Sequence, residues 1–178
     1  MKASFPDKHW LRSAIPRNLA LSLWRLSEVE TDLNKRLDLL KRAYELTFSS
    51  LKNCKPGSRQ ESLMLNSAVY YAVEYLTLAP KNGAPLGADT LRRLVQDMSA
   101  NVQIETSVQL RPLDTLCRAF SYLEMEAEAV RAATRVAALI ERIEAPSLGH
   151  DERDMLKYAQ GVLSRAAPAA EQTLPVVR

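Results

Sequence analysis

A chain of 178 residues has the length of one domain and can remove roughly 70% of its unfolded surface from water, so a sizeable core is available. Five glycines, 6% aromatic residues and no apolar run approaching about 18 residues argue against a glycine-punctuated β sandwich and against a membrane-spanning helix. The net charge of +3 conceals an asymmetry: up to Gln60 twelve basic residues face six acids, an excess of six, so the remainder carries −3. Such an excess attracts nucleic acid, acidic proteins or anionic surfaces without choosing among them.

Residues 1–15 read as an N-terminal arm. Phe5, Pro6, Asp7 and His9 follow Met1 and Lys2 closely, so the arm offers no apolar segment of the kind a secretory signal needs, and the expected setting is cytoplasmic, with no membrane partner. From about Pro16 to Glu30, Leu19, Leu23 and Leu26 recur with Ala20 and Trp24 at helical spacing, and Pro16 suits a first turn. Thr31 and Asp32 then offer a cap for DLNKRLDLLKRAYELTFSSL, whose Leu33, Leu37, Leu40, Tyr44 and Phe48 share one face. NCKPGS ends this second helix.

The third helix, ESLMLNSAVYYAVEYLTLA, is apolar almost all round, which predicts burial between neighbours. PKNGAPLG, with two prolines and two glycines, is a loop, and ADTLRRLVQDMSANV is a fourth helix with Asp89 or Thr90 near its cap. QIETSVQLRP is either loop or the beginning of the next helix. A fifth helix is predicted from about Pro112 to Leu123, a sixth from about Ala127 to Ile143, and a seventh in HDERDMLKYAQGVLSRAA with Asp151 as its cap. Residues 167–178 lack periodicity and read as a mobile tail.

Seven helices with short breaks fit an α-solenoid as readily as a bundle, and periodicity does not separate the two. The stretch LDTLCRAFSYLEMEAEAVRAATRVAALIERI does bear on the choice, because it resembles a tetratricopeptide repeat. Leu113, Leu116, Cys117 and Phe120 fall at that motif's large, large, small and aromatic positions of the first helix, and Ala129, Ala133 and Val136 at the packing positions of the second. Small residues at such places let paired helices approach while large ones fill the adjoining groove. Glu124 stands where the motif has glycine.

Two further copies resemble the same motif. LNSAVYYAVEY is paired with TLRRLVQDM across the loop, and LALSLWRLSE with KRLDLLKRAYEL, where Arg36 occupies a small-residue position. Ala20, Ala68 and Ala119 are 48 and 51 residues apart, against about 34 for the standard repeat. The resemblance implies an all-α, right-handed α-solenoid of about three antiparallel, tetratricopeptide-like hairpins with a C-terminal capping helix, occupying 16–166.

It also implies a concave groove lined by first-helix side chains. These are Asn18, Ser22 and Arg25 in the first unit, Asn66, Tyr70 and Glu74 in the second, and Asp114, Arg118 and Tyr122 in the third. Arginines that grip carboxylates, an amide that bonds an extended backbone and tyrosines of rigid contact area suit a peptide. The implied function is protein or peptide binding by a non-catalytic adaptor or regulatory subunit.

The residues supply little for catalysis. His9 and His150 have no motif around them, and no HExxH, GxSxG, GxxxxGK[ST] or GxGxxG occurs, so no cofactor, metal or catalytic residue is assigned. Glu124, Glu126 and Glu128 lie where a helix start favours acids. Cys54 and Cys117 are isolated and read as reduced thiols. Tyr70, Tyr71 and Tyr75 read chiefly as core, and Trp10 and Trp24 as seals of the amino-terminal end.

The alternative function is nucleic-acid binding by the basic amino-terminal third, through Lys35, Arg36, Lys41 and Arg42. Against it, Asp38 and Glu45 lie at the spacings of ordinary surface ion pairs with Lys41 and Arg42. A third expectation is self-association through an exposed apolar end.

Overall fold

The computed structural model describes residues 9–79, 87–105, 107–143 and 147–171. These form seven α-helices and no strand: α1 (His9–Val29), α2 (Leu33–Leu51), α3 (Arg59–Leu78), α4 (Ala88–Asn101), α5 (Leu110–Tyr122), α6 (Glu126–Ile140) and α7 (His150–Glu171). They divide into two compact units, Met1–Asn101 and Val102–Arg178, and the stretch 16–166 expected as one repeat domain runs through both.

In the first unit α1 packs on α2, α2 on α3 and α3 on α4, and α1 also reaches α3. α3 therefore meets three helices, which is why it is apolar around most of its circumference: Met64, Leu65, Ala68, Val69, Ala72 and Leu76 are all buried. Ala20 and Ala43 are fully buried on α1 and α2, small enough to let the helix axes close. Thr47 and Ser27 are buried too, at no cost in unpaired hydroxyls. Thr47 donates to the carbonyls of Ala43 and Tyr44 at 3.0 and 2.8 Å, and Ser27 to that of Trp24 at 2.6 Å.

Local signals set the helix ends. Asp32 caps α2 as its sequence promises, its carboxylate accepting from the Asn34 and Lys35 amides at 2.9 and 3.1 Å. Between α2 and α3, Gly57 takes φ 72°, and Ser58 caps α3 by accepting from the Glu61 amide at 3.2 Å. Glu61 reaches back to the Gly57 amide at 2.7 Å, a one-residue displacement of the reciprocal Ser-x-x-Glu capping arrangement.

Three boundaries differ from the sequence reading. α1 begins at His9, not near Pro16, so Pro16 lies inside the helix and removes the amide that would bond the Arg12 carbonyl. The upstream Trp10, Leu11, Ala14 and Ile15 keep helical spacing, which carries the helix through what was read as an arm. α7 runs to Glu171, past the expected start of the tail at residue 167. Asp151 sits in the first turn of α7 and is not its cap. Residues 1–8 of the expected arm, and 172–178 of the expected tail, lie outside the described residues.

In the second unit α5 packs on α6, α6 on α7, and α5 on α7. Every position aligned with the tetratricopeptide motif is buried: Leu113, Leu116, Cys117 and Phe120 on α5, and Ala129, Ala133 and Val136 on α6. The Cys117 thiol donates to the Ala129 carbonyl at 3.7 Å, so the two small-residue positions face each other across the hairpin. The stretch after α4 is irregular at 102–105 and 107–109. It is tied to α6 by Arg131 on Glu105 at 3.5 Å and by Arg135 donating to the Ser107 carbonyl at 3.0 Å.

The α5–α6 turn closes with the Met125 amide on the Phe120 carbonyl at 2.9 Å and the Glu124 amide on that of Ser121 at 3.3 Å. This is a Schellman end, and it forces Glu124 to φ 58°, a left-handed conformation at the glycine position of the motif. Glu124 is exposed, so backbone strain dominates the effect of replacing it. Glu124→Gly should raise stability by about 0.5–1 kcal/mol, and Glu124→Val should lower it by about 1 kcal/mol. Denaturant midpoints that failed to order as Gly above Glu above Val would contradict this turn geometry.

Burial also sets an alkaline limit. It pushes the Tyr44 and Tyr71 phenols from 10.0 to about 12, with Glu45 adding to the rise at Tyr44 and Arg17 and a Ser67 hydrogen bond opposing it at Tyr71. Folded-state values above unfolded ones mean that this stabilisation is complete below pH 10 and is lost as pH rises through about 12. The denaturation midpoint should fall between about pH 10 and 12, and less steeply in Tyr44→Phe and Tyr71→Phe proteins. Parallel slopes in all three proteins would refute the assignment.

Candidate functional site

The nine residues expected to line a groove fall into two sets, six in the first unit and three in the second. On α1, Asn18, Ser22 and Arg25 are exposed along one side, and the Ser22 hydroxyl donates to the Asn18 carbonyl at 3.0 Å. On α3, Asn66, Tyr70 and Glu74 follow one another a turn apart, all half-buried. α1 and α3 meet through aromatic rings: Trp24 stands edge-on to Tyr70 at 5.5 Å and tilted to Tyr71 at 6.4 Å, and the two tyrosines are 6.0 Å apart. Quadrupole-matched edge contacts of this kind add about 0.5–1.5 kcal/mol each beyond area burial. Tyr71 and Tyr75 are core, as expected, whereas Tyr70 reaches the border of the polar row.

Asn66 has one distinctive property. Its amide oxygen is buried and has no hydrogen-bond partner among the described residues. An unpaired buried acceptor costs about 1–3 kcal/mol, which a donor from a bound molecule would recover once the Asn66 side chain turned outward to meet it.

The second unit treats its set differently. Asp114 is 4% exposed and therefore does not line an open groove. Arg118 donates through Nε to its carboxylate at 2.9 Å, and the guanidinium lies 4.4 Å from the centre of the Tyr158 ring on α7. Burial pushes the Asp114 carboxyl up from 3.8, against the opposing pull of the Arg118 charge, its hydrogen bond and the Arg111 charge. A second bridge joins the same helices, Arg111 to Asp151 at 2.7 Å. Tyr122 alone of the three is exposed.

The basic residues of α2 do not form one face. Lys35, Lys41 and Arg42 are exposed, but Arg36 is half-buried and its Nε lacks a hydrogen-bond partner among the described residues. Lys41 lies 3.9 Å from Glu45 and Arg42 3.7 Å from Asp38, both exposed i,i+4 pairs on one helix. These are the pairs expected of a solvated face, worth a few tenths of a kcal/mol, about 0.3–0.5.

Glu126 and Glu128 occupy the first turn of α6, where the helix dipole favours them. His150 is exposed at the start of α7, 3.3 Å from Asp154. Among the described residues no cluster of three His, Cys, Asp or Glu is placed to hold a metal, and no helix is long and apolar enough to cross a membrane. Comparison with protein families, curated proteins and solved structures finds no match.

The buried Asp114–Arg118 pair generates a test of its structural role. Arg118→Met strands a buried carboxylate and should cost about 3 kcal/mol, and Asp114→Ala about 2 kcal/mol. The double replacement should cost at least about 1 kcal/mol less than the two single losses added together. The Arg118→Met deficit should shrink as pH falls towards 4, because a carboxyl whose folded value lies above 3.8 gains stability when protonated. Strict additivity with no pH dependence in urea titrations would remove the pair from the core.

Proposed function

We propose that both units are tetratricopeptide-like helical repeats of the right-handed solenoid kind, and that the chain is a non-catalytic adaptor or regulatory subunit that binds a protein or peptide. The repeat reading is supported by the burial of all seven motif positions on α5 and α6, and by the left-handed backbone at Glu124 where the motif carries glycine. The binding reading rests on one observation, the buried and unpartnered Asn66 amide oxygen within the row Asn66, Tyr70, Glu74.

An extended peptide presents backbone N–H groups, donors that the Asn66 amide oxygen would accept once its side chain turned outward. Tyr70 offers a rigid, partly buried ring beside it, and the exposed Arg25 on α1 is suited to a carboxylate. Binding is assigned to α1 and α3 of the first unit, because Asp114 and Arg118 are engaged with each other and with Tyr158 in the second.

Selection from a random peptide display library should return extended sequences carrying an acidic residue. Isothermal titration of a selected peptide should then give about tenfold weaker binding for Arg25→Ala and for Asn66→Leu, each near 1.4 kcal/mol, with the far-UV helical signal unchanged. Peptides that bind both variants with full affinity would exclude this row as the site.

A further inference from the structure

α1 buries Ala20 and Ser27 against its own unit, and yet a second apolar line runs along it in the open. Ile15 is 63% exposed, Leu19 50%, Leu26 52% and Val29 74%, and Leu33, the first residue of α2, is 49% exposed. Along α1 itself Ile15, Leu19, Ser22, Leu26 and Val29 advance by alternating steps of four and three, the 3.5-residue period of a helix seam that packs knobs into the holes of another helix, while Leu33 follows a non-helical break at 30–32. A solvated helix face has no reason to keep large apolar groups in that register.

From these observations we infer that the open seam of α1 is an interface between two copies of this chain, related by a two-fold axis near Ser22. Self-pairing follows from three properties of the stripe. First, its order is the same from both ends: a β-branched residue, a leucine, Ser22, a leucine and a β-branched residue. A two-fold axis at the middle therefore sets like against like, the requirement of an isologous contact.

Second, its single polar member is already satisfied. The Ser22 hydroxyl is bonded to the Asn18 carbonyl at 3.0 Å, so covering it leaves no donor unpaired. Third, the area suffices. The five apolar residues leave on the order of 500 Å² open, beyond a scatter of isolated surface leucines. Covering them on both copies removes about 1,000 Å² from these side chains alone, the lower bound for a specific interface.

The pairing is read from other residues than the peptide site, Ile15, Leu19, Leu26 and Val29 against Arg25, Asn66 and Tyr70; because Arg25 lies one turn from Ser22 on the same side of α1, the two compete for that side, and mass in the absence of peptide tests the pairing by itself. The test is sedimentation equilibrium of the full chain over a range of concentration. The wild-type protein should have the mass of a dimer at about 100 µM. Leu19→Glu combined with Leu26→Glu should weaken association at least about 100-fold, since each charge would be buried in the apolar seam, while leaving the helical signal intact. S22C should form a disulfide-linked dimer on mild oxidation, and the wild-type chain, with Cys54 half-buried and Cys117 buried, should not. Wild-type protein that keeps a monomer mass at about 100 µM, a dimer undiminished in the double variant, or an S22C protein that does not cross-link would each overturn the pairing.

Discussion

Helices joined by short turns can bury their apolar sides only if their backbones come close, and closeness is limited by the side chains at the crossing points. In this chain those points are held by small residues: Ala20, Ala43, Ala68 and Ala72 in the first unit, and Cys117, Ala119, Ala129, Ala132 and Ala133 in the second, all essentially excluded from water. The large residues, Met64, Leu91, Met98, Leu113, Leu116 and Ile140, fill the grooves beside them. With few aromatic residues available, the core depends on close approach more than on bulk. A single large side chain at any of these alanines would separate a helix pair and open the grooves that its neighbours fill.

The same closeness governs the polar chemistry. A buried serine or threonine is tolerated where its hydroxyl folds back on its own helix, as at Thr47 and Ser27. A buried charge needs more, and Asp114 has Arg118 one turn later, itself covered by the Tyr158 ring. Other ion pairs lie at the surface, some along one helix, as Lys41–Glu45 and Arg42–Asp38, and some between segments, as Arg111–Asp151. Two of the basic residues of the amino-terminal third thus have acidic partners on α2, and Arg36 is half-buried.

Much of the architecture is legible in the amino-acid order because each helix carries its own period and most carry their own punctuation. α2 is bounded by Asp32 and by the break at NCKPGS, α3 is apolar all round because three helices surround it, and the Leu113–Val136 pattern marks which faces of α5 and α6 meet. The start of α1 is not legible from Pro16 alone, because proline is equally at home in a first turn and the spacing of Trp10, Leu11 and Ala14 upstream is short. The Ser58 and Glu61 capping signal is present in the sequence and marks where α3 begins. The least legible feature is the environment of Asp114. Its register on α5 is evident, but the α7 groups that engage its neighbours, Tyr158 on Arg118 and Asp151 on Arg111, lie forty residues further along, and no local pattern announces those contacts.

Cys117 joins these themes in a single atom. Its thiol on α5 donates to the Ala129 carbonyl of α6, and burial raises it from 9.0 to about 12, so in the closed hairpin it is both covered and protonated. A thiolate that an alkylating reagent can reach exists only after α5 has moved away from α6. The rate of its modification is therefore a clock for hairpin opening, set by the opening equilibrium and not by surface accessibility. The half-buried Cys54, in the other unit, is partly open to solvent and supplies an internal reference for the rate at a thiol that needs no hairpin opening.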